Sequence, residues 1–143
     1  MEYALAQASA AAERGEVPVG AVVVDPAGSL VAASGNRVEE LNDPTAHAEV
    51  LAIRKAAGMS GSPRLVGYSL YVTLEPCAMC AQAISLARIK RVYFGASDEK
   101  SGAVENGVRL YNDPSCHHIP EVYGGINAAK AKVLLRDFFR VRR

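Results

Sequence analysis

Apolar and polar positions along this chain switch between helical and strand periods, and the switches predict an alternating order of elements. Residues 2–14 are alanine-rich with few breakers and predict a first helix that Gly15 ends. Val17 to Val24 is β-branched and apolar, a largely buried strand. Asp25-Pro26-Ala27-Gly28 then turns the chain into a second strand over Leu30–Ser34. Asp43-Pro44-Thr45 starts a second helix that runs to about Ala57, with Gly58 after it. Gly58–Gly67 reads as a loop, Tyr68–Thr73 as a third strand, and Pro76 opens a third helix through about Ala87. Arg91–Phe94 is a fourth strand. Residues 95–120 are turn-like, with room for a short helix, and Glu121–Tyr123 is a fifth strand. Asn127 is placed to cap a last helix whose apolar positions Ala129, Val133, Leu134, Phe138 and Val141 recur at helical spacing. The alternation predicts one layered α/β domain over residues 1–143 with a central sheet, and no repeat, linker or low-complexity tract interrupts it.

Composition changes this picture little. Half of the residues are hydrophobic and 22% are charged, as in ordinary globular domains. No apolar run approaches the roughly 20 residues needed to cross a bilayer, so no membrane is expected. The opening Met1-Glu2-Tyr3-Ala4-Leu5 has neither a basic leader nor a long apolar core, so a secretion signal is not expected. Three cysteines is an odd count and two of them form Cys-x-x-Cys, which fits reduced thiols and a cytoplasmic location. Charge is uneven beneath a net of +1. Lys130, Lys132, Arg136, Arg140, Arg142 and Arg143 face one acid, Asp137, in the last stretch, leaving the body mildly acidic. That tail suits a polyanion partner, and equally a solubilised helix end, since cations favour a helix C-terminus.

The chemistry sits in two short motifs, His47-Ala48-Glu49 and Pro76-Cys77-Ala78-Met79-Cys80. One imidazole and two thiolates are three good ligands for Zn²⁺, one fewer than a closed structural site uses. Cys77 and Cys80, at i and i+3, share a face on the first turn of a helix, where the helix dipole favours thiolate. Glu49 stands two residues from His47. Regular helical spacing turns it away, which argues against a fourth ligand without showing that it reaches a metal-bound water; a carboxylate this near the His is a group that can move protons. The competing reading is a zinc staple closed by Cys116, His117 or His118. Cys116 itself reads as an ordinary free thiol. Gly102 to Gly107 has P-loop glycine spacing but lacks the following Lys, and no Gly-x-Gly-x-x-Gly occurs, so a nucleotide cofactor has no support.

His-x-Glu with Pro-Cys-x-x-Cys is the pattern of zinc deaminases acting on nucleobases. Further strings extend the match: Val17-Pro18-Val19-Gly20-Ala21-Val22, Asn36-Arg37, Asp43-Pro44-Thr45-Ala46 and Arg91-Val92-Tyr93-Phe94-Gly95-Ala96. The ending Leu134-Leu135-Arg136-Asp137-Phe138-Phe139-Arg140 adds to them. With them the chain resembles the bacterial tRNA-specific adenosine deaminases of the cytidine deaminase-like superfamily, apart from Val104 to Pro120. The resemblance implies a three-layer α/β/α sandwich with a five-stranded mixed sheet, assembled as a homodimer. It implies one Zn²⁺ per subunit on His47, Cys77 and Cys80, with Glu49 shuttling protons. It also implies hydrolytic conversion of adenosine to inosine at the wobble position of a tRNA anticodon stem-loop. Asn36 matches a residue that hydrogen-bonds the flipped base, with Val17, Pro18 and Ala48 around it. Asp98 matches a position at the neighbouring nucleotide, and Phe139, Arg140, Arg142 and Arg143 a tail near the anticodon loop.

Two other functions use the same residues. A deaminase of a free base or nucleoside such as guanine or cytosine shares the zinc chemistry but has little use for a basic tail. A noncatalytic, zinc-stapled RNA-binding protein predicts a fourth protein ligand and indifference to Glu49.

Overall fold

A computed structural model of the chain describes residues 1–142. In chain order the elements are α1 (Glu2–Glu13), β1 (Gly20–Val24), β2 (Leu30–Gly35), α2 (Val38–Leu41), α3 (Ala48–Ser60) and β3 (Ser69–Leu74). Then come α4 (Ala78–Leu86), β4 (Arg91–Ala96), a 3₁₀ turn (Leu110–Asn112), β5 (Glu121–Tyr123) and α5 (Ala128–Val141). The five strands form one sheet in the order β2-β1-β3-β4-β5. β1 runs antiparallel to both β2 and β3, whereas β3, β4 and β5 are parallel. Helices α3 and α4 pack together on one face, and α1 and α5 on the other, giving three layers. The main core lies under α3 and α4, where Ala21, Val23, Leu70, Val72, Val92 and Phe94 of the sheet meet Ala48, Ala52, Ala81 and Ile84.

On the opposite face the alanine-rich sequence of α1 has a steric purpose. Gly20 and Gly35 are register partners on β1 and β2. A Cβ on Gly20 would lie 2.0 Å from the Ala4 carbonyl oxygen and 2.6 Å from the Ala8 amide nitrogen, and one on Gly35 would lie 2.7 Å from the Gln7 carbonyl oxygen. The helix therefore rests directly on strand backbone, and Ala4, Ala8 and Ala11, all fully buried, are small enough to allow it. Gly20→Ala should thus force α1 off the sheet. Overpacking of this kind costs about 1–3 kcal/mol or more, read as a lowered urea midpoint; an unchanged midpoint would show that α1 adapts freely.

Three element starts differ from the sequence expectation. The first strand begins at Gly20, not Val17, because the Val19 amide bonds the Val17 carbonyl at 2.8 Å across Pro18 in a tight turn. The second helix begins at Ala48, not Asp43: Asp43 Oδ1 accepts from the Thr45 amide and hydroxyl, closing a local turn ahead of the helix. The third helix begins at Ala78, with Cys77 in extended backbone at its cap position. Asn127 does precede α5, but in left-handed conformation, and its side chain donates to Glu2 Oε1 on α1 without capping the helix. The short α2 was not expected at all. Residues 104–120 carry the short helical turn for which the sequence left room, and there the Tyr111 hydroxyl donates to the Ala81 carbonyl at 2.9 Å, tying the segment to α4.

A candidate zinc deaminase site

The C-terminal end of β3 and the N-termini of α3 and α4 bring the two motifs together. His47 and Cys77 occupy equivalent places, each at the cap position of its helix with extended backbone (ψ 151° and 175°). Their side chains are thereby free of helical directions and converge. His47 Nδ1 lies 3.7 Å from Cys77 Sγ and 3.5 Å from Cys80 Sγ. Tetrahedral bonds of about 2.3 Å to sulfur and about 2.05 Å to nitrogen require an N···S separation of about 3.6 Å, and both N···S distances fit Zn²⁺. They are also the one His/Cys/Asp/Glu group among the described residues whose ligand atoms cluster within 4.8 Å of one another. The thiols titrate far apart. Donation from the Cys80 thiol, and then from His47, holds Cys77 down to about 4, while the same contact and burial push Cys80 well up. In the metal-free chain the pair thus shares a proton that a cation would displace. The Cys77 contact likewise raises His47 above its ordinary value.

The staple reading finds no support in this geometry. Cys116 lies against the Ser85 hydroxyl and the His118 carbonyl, while the His118 ring donates to the Ile89 carbonyl at 2.7 Å. None of Cys116, His117 and His118 joins the ligand group.

Glu49 is 4% exposed, and burial raises its carboxyl above the ordinary carboxylate range. Because His47 sits outside regular helix, the spacing that turns Glu49 away from it along a helix does not apply, and both line one cavity of about 530 Å³. Val17, Asn36 and Asp98 line that cavity too. Asn36 Oδ1 accepts from the Ala48 amide at 2.8 Å, which caps α3 and leaves the Asn36 amide NH₂ to meet a ligand. Ala48 is fully buried with its amide so engaged, and Pro18 is buried behind Val17 and does not line the cavity.

The tail also enters this cavity, through Phe138 and Arg142. The Arg142 guanidinium stacks 3.6 Å over the Phe138 ring and donates to the Phe138 carbonyl. Helical periodicity places Phe138 on the apolar stripe of the helix but does not show that it forms a cavity wall. Phe139 is 44% exposed, edge-on to Phe138, and Arg140 pairs with Asp137 at 3.3 Å in the open. Arg143 lies outside the described residues.

Two buried carboxylates near the cavity escaped the sequence analysis. Glu16 accepts from the Glu39 and Glu40 amides and so caps α2 from 23 residues away. Glu75, 2% exposed, accepts six hydrogen bonds from residues 97–106. Burial alone would raise its carboxyl, but donors from Asp98, Asn106 and Glu105 outweigh that and hold it below the usual range. A Glu before Pro-Cys is the signal that could have found it.

A family model, the cytidine and deoxycytidylate deaminase zinc-binding region, matches residues 1–96. A tRNA-specific adenosine deaminase of Agrobacterium fabrum is 57% identical over all of this chain and 93% of that protein. The chain belongs to the tRNA-specific adenosine deaminase family. A solved structure from biochemical and structural studies of A-to-I editing by tRNA:A34 deaminases at the wobble position of transfer RNA is 56% identical, with a TM-score of 0.93. That match covers 94% of this chain and 97% of that one. A guanine deaminase of Bacillus subtilis is more distant, at 34% identity and a TM-score of 0.66 over 99% of this chain and 90% of that one. The tRNA-specific deaminases therefore share both more sequence and a closer backbone with this chain than that free-base enzyme does. No helix is long and apolar enough to cross a membrane among the described residues.

Proposed function

We propose that this protein is a zinc-dependent hydrolase that converts adenosine to inosine at the wobble position of a tRNA anticodon, releasing ammonia. One observation carries the reading: His47 and Cys77 of the ligand group and Glu49 share a cavity with Phe138 and Arg142 of the basic C-terminal tail. A cationic tail at the mouth of a nucleobase deaminase site suits a substrate whose base is attached to a phosphate chain. His47, Cys77 and Cys80 would hold the ion, which when bound supplies Lewis acidity that brings the ionisation of water near neutral pH.

The other steps belong to the chain's own groups. An anticodon loop is unpaired, so its base can leave the stack cheaply and enter the cavity. The free NH₂ of Asn36 and the wall at Val17 orient the ring, which is a proximity effect. Glu49 takes a proton from the attacking water and passes it to N1, lowering the cost of breaking aromaticity as oxygen adds at C6. It then moves the second proton to the exocyclic nitrogen, which leaves as ammonia, so one water is consumed and inosine remains. Its burial excludes solvent that could carry those protons instead. Asp98, which lines the cavity, would meet the neighbouring nucleotide, and Arg140 and Arg142 would meet phosphates; the same role for Arg143 rests on its place in the sequence alone. A homodimer, a single domain over 1–143 and a cytoplasmic location belong to the same proposal and rest on the family resemblance.

The test is to incubate the zinc-loaded protein with a tRNA anticodon stem-loop bearing wobble adenosine, and in parallel with free guanine, cytidine and adenosine. Inosine in the stem-loop with no ammonia from the free compounds is expected. Ammonia from guanine without inosine in the RNA would transfer the chain's function to the free-base class.

A further inference from the structure

We propose that Glu75 is a positioning residue for polymer substrate: its buried carboxylate holds the wall formed by residues 97–106 in a substrate-ready shape. The inference rests on the tRNA reading above and deepens it, since that wall carries Asp98 and Ser101 into the cavity.

The wall has no regular secondary structure to shape it, so its backbone donors must end elsewhere. They end on Glu75. Oε2 accepts from the amides of Val104 at 3.1 Å, Glu105 at 2.9 Å and Asn106 at 3.0 Å. Oε1 accepts from the Asp98 amide at 3.0 Å, the Asn106 side-chain amide at 2.6 Å and the Ser97 hydroxyl at 3.4 Å. A carboxylate offers about four lone-pair sites, so these six donors saturate it. Glu75 has no capacity left to bind water or substrate, which separates its role from that of Glu49.

The packing around it is equally committed. A Cβ on Gly102 would lie 2.5 Å from the Glu75 carboxyl carbon and 2.4 Å from the Asp98 carbonyl oxygen, so only glycine lets the loop close over the carboxylate. Gly102 pairs with Cys77 in an isolated bridge, and the Ala103 amide bonds the Pro76 carbonyl at 2.9 Å. The wall is thus fastened at Cys77 by backbone and at Glu75 by charge. Loss of the second fastening frees Asp98 and Ser101 while the first still protects the ligand group. The structure assigns the carboxylate to binding geometry and not to proton transfer.

Two variants test this on the zinc-loaded full chain with the anticodon stem-loop. Glu75→Gln replaces one acceptor oxygen by an NH₂ that confronts amide donors, and Asn106→Ala removes one donor from the other side without entering the core. Wild type must first deaminate the stem-loop; if it does not, it is the tRNA reading that has failed. Given wild-type turnover, Glu75→Gln should raise KM about tenfold or more, the scale on which small misplacements act, with kcat within about threefold and zinc content unchanged. Asn106→Ala should move KM the same way by a smaller factor and should not add to the effect of Glu75→Gln in the double variant. Independently of substrate, hydrogen exchange at Val104, Glu105 and Asn106 should accelerate about tenfold or more while β3 and β4 stay protected. A fall in kcat at constant KM, or unchanged kinetics in both variants, overturns the proposal. If Glu75→Gln does not fold, Asn106→Ala decides alone.

Discussion

Glu49→Gln is expected to bind zinc and the anticodon stem-loop like wild type and to lose about 10²–10⁴-fold in turnover, the usual contribution of a positioned proton carrier. The substitution keeps the shape of the side chain and its hydrogen-bonding span but removes the ability to take and return a proton. Two features make the effect large. The carboxylate is 4% exposed, so no bulk water replaces it once the cavity is filled. Burial also raises its affinity for a proton, matching a group that must hold one between N1 and the leaving nitrogen. The loss should appear in single-turnover inosine formation and not in KM. Wild-type turnover in this variant would refute the assigned role, and zinc loss would instead place Glu49 among the ligands.

The layered fold and the ligand set were legible in the sequence because both follow from short-range rules. Strand periods, Gly and Pro punctuation and the Cys-x-x-Cys spacing are local, and the five strands and the converging His47, Cys77 and Cys80 emerge where they point. What stayed hidden are caps supplied from far along the chain. The start of α3 is capped by Asn36 and that of α2 by Glu16, while neither His47 nor Arg37, at the cap positions themselves, makes a side-chain cap bond. Asp43-Pro44-Thr45 carries the local signal of a helix start and folds as a turn instead, because Ala48 finds its partner in Asn36. The same long reach explains Glu75. A buried glutamate before Pro76 has no periodic signature, and its five partner residues lie 22 to 31 residues away.

These distant caps share a consequence for function. Glu16, Asn36 and Glu75 each satisfy backbone donors that would otherwise be orphaned beside the cavity, and all three line it. A cavity that must admit a flipped base needs irregular walls, and irregular walls need polar anchors that a helix or strand would not. The anchors explain why three glutamates are buried near the site when the proposed chemistry uses one, Glu49: the carboxylates of Glu16 and Glu75 are occupied by backbone donors.

Cys80→Ala is expected to remove zinc and turnover together while leaving the fold intact. A full structural ligand set binds Zn²⁺ by roughly 10–16 kcal/mol, so one thiolate carries about 3 kcal/mol or more, two orders of magnitude in affinity. Cys80 is completely buried and small, so alanine leaves little void and the far-UV spectrum should be unchanged. Cys116→Ala serves as the contrast, because its thiol faces Ser85 and His118 and should leave zinc content at one per chain. The sign of the pH dependence follows from the same thiol. Cys80 is pushed up, so it is protonated in the metal-free chain at neutral pH and must lose that proton on binding. Apparent zinc affinity should therefore rise with pH, about tenfold per unit for each proton displaced, in competition with a chromophoric chelator. A flat profile, or zinc retained in Cys80→Ala and lost in Cys116→Ala, would move the ion to another ligand set and take the deaminase chemistry with it.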